Sequence, residues 1–86
     1  MIDVLIVEDS RVARDHIKNI LEHDRDIVVA GTASNGEEAL SFLKKKKPKV
    51  ITMDIHMPRM NGFEATRRIM ETTPVPIVIV TASYNK

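Results

Sequence analysis

Cysteine and tryptophan are absent from this 86-residue chain. Without thiols, disulfides, thiolate catalysis and Cys-type zinc or iron–sulfur sites are excluded. The aromatic residues are Phe42, Phe63 and Tyr84, too few for a base-stacking platform. Neither sign of charge is in excess: 13 Lys and Arg face 12 Asp and Glu, a formal net charge of +1. That balance argues against a nucleic-acid binder working by charge alone. Glycine occurs three times, and no Gly-rich loop cradles a phosphate. Long hydrophobic runs are missing too. Runs such as Val4 to Val7 and Ile77 to Val80 are short, whereas a spanning helix needs about 20 apolar residues. The N-terminus has no basic segment leading into an apolar one, so no export signal is read. The expectation is a cytoplasmic protein with no membrane partner.

What is present is an ordinary globular composition, 43% apolar and 29% charged. Residues 1–86 make one small domain at most, able to bury roughly 60–65% of its unfolded surface. The periodicity alternates between short apolar runs and helical spacing. Ile2 to Val7 predicts a buried strand that ends abruptly in Glu8-Asp9-Ser10. Val12, Ala13, Ile17, Ile20 and Leu21 recur at helical spacing, with Ser10 as N-cap. Ile27 to Ala33 predicts a second strand. A helix follows, capped by Ser34 or Asn35, with Glu37 and Glu38 where the helix dipole favours acids. Ala39, Leu40 and Leu43 form its apolar stripe, Lys44 to Lys47 close it, and Pro48 stops it. Val50 to Met53 predicts a third strand ending at Asp54. Asn61-Gly62 opens a helix running to about Glu71, with Phe63, Ala65, Ile69 and Met70 available for packing. Pro74 and Pro76 precede a fourth strand, Ile77 to Val80, ending at Thr81. Strands alternating with crossover helices imply an α/β fold on a parallel sheet.

The polar residues stand at strand ends: Glu8 and Asp9 after the first, Asp54 after the third, Thr81 after the fourth. Open parallel sheets bind ligands beyond the carboxyl ends of their strands. Taken singly, strand-end Asp and Thr serve as turn-formers and caps. Taken together, Glu8, Asp9 and Asp54 converge if strands 1 and 3 are neighbours. Three carboxylates that close repel one another unless a cation or protons intervene. Mg²⁺ suits such oxygen donors completed by water and phosphate oxygens. The arrangement suggests phosphoryl transfer to Asp54 as nucleophile, with Thr81 hydrogen-bonding a phosphoryl oxygen.

Four segments also resemble a known family: Val4 to Ser10, Gly31 to Leu40, Met53 to Gly62, and Val80-Thr81-Ala82. They are similar to the receiver domain of two-component response regulators over essentially the whole chain. The stretch from Asp54 to Ser83 looks most like the receivers of chemotaxis protein-glutamate methylesterases. The resemblance implies a flavodoxin-like doubly wound parallel sheet of strand order 2-1-3-4. It implies Mg²⁺ held by Glu8, Asp9, Asp54 and the His56 backbone carbonyl. It assigns phosphorylation by a histidine kinase to Asp54 and the switch hydroxyl to Thr81. Pro58 and Gly62 match the loop at the pocket rim. Asn61 stands where the family often has Asp.

The chain departs from the pattern at its far end. The family's fourth helix, fifth strand and fifth helix have no counterpart, nor has the lysine on that fifth strand. Loss of a fixed cation should slow transfer. The reading is therefore a truncated receiver with impaired competence and no methylesterase activity of its own. Strand 4 becomes an apolar edge, so a homodimer or domain-exchanged oligomer is expected across it. The competing reading is a non-signalling assembly module that keeps the pocket as a relic. A phosphohydrolase is disfavoured because His56 should point away from Asp54. His16 and His23 read as solvent-facing, Lys44 to Lys47 as a solvated helix end.

Overall fold

The structure, a computed structural model, describes residues 1–57 and 60–80. Its elements are β1 (Ile2–Val7), α1 (Arg11–Leu21), β2 (Ile27–Ala33), α2 (Gly36–Lys45), β3 (Val50–Met53), α3 (Gly62–Thr72) and β4 (Ile77–Ile79). The four strands form one parallel sheet in the order β2-β1-β3-β4. That is the doubly wound arrangement, with helices on both faces.

Each helix starts where a side chain can take up a free N–H of its first turn. Ser10 Oγ accepts from the Ala13 N–H at 3.2 Å. Asn35, not Ser34, caps α2, accepting from Glu38 N–H at 2.8 Å. Ser34 instead donates its N–H and hydroxyl to the Glu38 carboxylate, at 2.8 and 2.9 Å. Asn61 caps α3 through the Glu64 N–H at 2.9 Å.

Alternation along the strands divides the apolar residues between two faces. Leu5, Val7, Ile51 and Met53 face α2 and α3 and join Ala39, Leu43, Ala65, Ile69 and Val75 in the core. Met60 belongs to this core too, and Pro48 is fully buried, although with Val75 they lie outside any periodic run. The opposite face carries Ile2, Val4, Val50, Thr52, Val78 and Val80, beside Ile17 and Leu21 of α1. Packing on this side is thin: α1 buries no residue fully.

Three expectations are corrected here. Val12 is 80% exposed and Ile20 is also exposed, because α1 turns Ile17 and Leu21, not these two, toward the sheet. Phe63 and Met70 are exposed on α3, leaving Ala65 and Ile69 as its buried contacts. The fourth strand is one residue shorter than expected, although the Val80 N–H still donates to the Met53 carbonyl at 2.8 Å.

Candidate functional site

Glu8 and Asp54 are placed by the sheet register. Val7 pairs with Met53, so the residues that follow each strand emerge side by side at the carboxyl edge. Backbone bonds extend both strands by one step. Glu8 N–H donates to Ala33 O at 2.9 Å, and Asp54 N–H to Val7 O at 3.0 Å. Both side chains are buried, Glu8 to 4% exposure and Asp54 to 6%. Asp9, one residue further on, is exposed.

The loops tie down one oxygen of each buried acid. Ser10 N–H donates to Glu8 Oε2 at 3.1 Å, and His56 N–H to Asp54 Oδ1 at 3.2 Å. Glu8 Oε1 is buried with no hydrogen-bond partner. Such an orphaned acceptor is costly unless something positive meets it. The Glu8 carboxyl is pushed above its ordinary value near 4.5. Burial is the main cause, and the Ser10 N–H opposes it. The neighbouring Asp54 carboxyl and the Asp9 charge add to the rise. Two buried acids therefore share one small volume. Hard oxygen donors in that setting fit a small divalent cation. The three acids are not gathered into a finished ligand set: among the described residues no cluster of three or more potential donors is arranged to hold a metal.

The expected site residues thus divide. Glu8 and Asp54 come together; Asp9, next to Glu8 in sequence, stays in solvent. The His56 side chain is exposed while its N–H faces Asp54. Thr81 and Pro58 lie outside the described residues. Gly62 packs its Cα against the Asp54–Ile55 backbone and donates its N–H to Ile55 O at 2.9 Å. Sequence reasoning did not find Arg14. Its guanidinium Nη1 donates to the carbonyls of Glu8 and Asp9, at 3.0 and 3.3 Å. Only its spacing from Glu8, one helical turn past the loop, could have signalled this.

A carboxylate pair at the ends of adjacent central strands, on a sheet of order 2-1-3-4, defines the receiver class of signalling domains. The response regulator receiver domain model matches residues 4–86, and the chain belongs to that family. Its relatives are specific. Protein-glutamate methylesterase/protein-glutamine glutaminase of Nitrosospira multiformis is 59% identical over 83 residues, 96% of this chain and 23% of that protein. The corresponding protein 1 of Syntrophus aciditrophicus is 55% identical over 84 residues, 98% of this chain and 24% of that one. The chain thus spans about a quarter of the length of these curated relatives. Among solved structures, the response regulator domain of Thermotoga maritima CheB superposes with a TM-score of 0.91 at 41% identity. That match covers 95% of this chain and 61% of that one. The response regulator TrrA of the same organism, solved in complex with Mg²⁺–BeF, gives 0.87 at 30% identity, covering 96% and 71%. The chain is a CheB-type receiver in sequence and in fold.

Proposed function

We propose that the chain is the phospho-acceptor module of a chemotaxis response regulator, with Asp54 accepting a phosphoryl group from a histidine kinase. The observation that carries this is the buried Glu8–Asp54 pair with its orphaned Glu8 oxygen. Glu8, Asp9 and Asp54, with the His56 carbonyl, would hold Mg²⁺. When bound, that ion neutralises negative charge on the transferring group. The TrrA complex with Mg²⁺–BeF supports the same chemistry in a relative of this fold.

The chain's own residues supply position and desolvation. His56 N–H holds the Asp54 carboxylate from the loop side, and burial strips it of water. A carboxylate oxygen of Asp54 attacks phosphorus as the bond from phosphorus to the donor's imidazole nitrogen breaks, leaving an acyl phosphate. Thr81 is assigned the hydroxyl that contacts the phosphoryl group. No ester hydrolysis is assigned to residues 1–86, and the working compartment is the cytoplasm.

The test is intact-mass measurement after incubation with a small acyl phosphate donor and Mg²⁺, with Asp54→Asn alongside. Gain of one phosphoryl group, lost in the variant and on chelation, is the expected result. No gain overturns the reading. Self-association across β4 belongs to the same proposal, supported by Val78 and Ile79, both exposed. The reading as a non-signalling assembly module finds no support in the comparisons.

A further inference from the structure

The loop from Glu8 to Ser10 carries two of the three acids, yet its own hydrogen bonds within the loop are few. Glu8 N–H is tied to β2, and Ser10 O receives the Arg14 N–H of the first turn of α1 at 2.8 Å. Among the described residues no backbone N–H of the sheet or the helix meets the carbonyls of Glu8 and Asp9. Arg14 takes both: one nitrogen of its guanidinium donates to Glu8 O at 3.0 Å and to Asp9 O at 3.3 Å. Both are charge-assisted bonds to backbone, so they fix the planes of two consecutive peptides. The second of those peptides carries the Ser10 N–H that grips Glu8 Oε2. The side chain is half-buried, and among the described residues it forms no ion pair with Glu8, Asp9 or Asp54.

We infer that Arg14 is a positioning residue for the acidic pocket: it locks the Glu8–Asp9 loop through its backbone and leaves the carboxylates free to ligate a cation. The inference rests on the receiver reading above. It separates from a simple charge effect by sign. Arg14 is a cation beside a cation site, so by electrostatics alone its removal should tighten metal binding. If it acts by positioning, its removal should weaken binding, as loss of a supporting hydrogen bond behind metal ligands does.

The experiment measures Mn²⁺ affinity by electron paramagnetic resonance of the free ion, at constant ionic strength, for wild type, Arg14→Ala, Arg14→Gln and Asp54→Ala. Amide exchange at Ser10 is followed by NMR without metal. Arg14→Ala should weaken Mn²⁺ binding about three- to tenfold, at or below the low end for such partners because these bonds reach backbone and are partly solvated. Arg14→Gln, which keeps an N–H donor and drops the charge, should fall between Arg14→Ala and wild type. The Ser10 amide should exchange faster in both. Unchanged or tighter Mn²⁺ binding in Arg14→Ala overturns the inference. If that variant does not fold, Arg14→Gln decides by the same sign. Failure of the underlying reading looks different: wild type binds no Mn²⁺, or Asp54→Ala binds as well as wild type, and the inference then falls with it.

Discussion

Glu8 is a carboxyl buried beside another carboxyl, and its raised pKa has a stability consequence. Its folded value lies above its unfolded one near 4.5, so the folded state holds the proton more tightly. Stability from this group is therefore greatest at low pH. It declines as pH rises through the window between about 4.5 and the raised folded value. Above that window Glu8 is buried, charged and poorly compensated. Glu8→Gln should remove this decline and raise the melting temperature of the metal-free protein at neutral pH by about 3–6 °C. Scanning calorimetry between pH 4 and 8, without metal, checks it; a wild-type stability that rises through the window contradicts the account. Glu64 works the other way. Its hydrogen bonds with Arg67 and Arg68 hold it below its ordinary value, which favours folding at higher pH. That carboxylate sits on the helix surface, so solvent screening keeps its effect small.

Helix α3 is docked by its first residue. Gly62 lies so close to the loop after β3 that an added Cβ would overlap the Asp54 carbonyl oxygen and sit 2.7 Å from Ile55 Cα. Those are backbone atoms and cannot turn aside. Gly62→Ala should therefore cost about 1–3 kcal/mol in urea unfolding and displace Asp54 from Glu8. Gly31→Ala is the informative contrast. Its Cβ would meet the Phe42 ring at 2.5 Å, an obstacle on a side chain that can shift. The smaller loss is expected at Gly31. Equal losses at the two positions would show that close approach at Gly62 is not what seats α3. The caps Asn35 and Asn61 matter in the same way, because they decide where α2 and α3 begin and hence how they meet the sheet.

The molecule's two sheet faces are covered unequally. Between α2, α3 and the sheet lies the dense core. Among the described residues the other face has α1 alone, beside a cavity of about 350 Å³ lined by Val4, Ile17, Leu21, Val50, Val78 and Val80, among others. Val78 is 52% exposed at its edge. An apolar face joined to an uncharged edge strand favours association. Light scattering across micromolar concentrations should show mass rising with concentration, and Val78→Lys should suppress the rise by placing a charge on the edge. A monomeric mass throughout would remove self-association from the proposal. No helix among the described residues is long and apolar enough to cross a membrane.

Local pattern carried most of this fold. Strand and helix order follow from runs such as Val4 to Val7 and from caps such as Ser10, because alternation and capping act within a few residues. The candidate acids were legible for the same reason, each standing at the end of an apolar run. Burial was not legible. Val12 and Ile20 are as apolar as Ile17, but which of them meets the sheet depends on how α1 lies across it. Met60 and Val75 entered the core from loops that have no period. The pairing of Glu8 with Asp54 needed the Val7–Met53 register, and the solvent position of Asp9 needed the turn after it. Arg14 reaching back to two carbonyls is likewise a fact of three dimensions. Short-range preferences choose the elements; only their packing decides which side chains lose water and therefore which charges must find a partner.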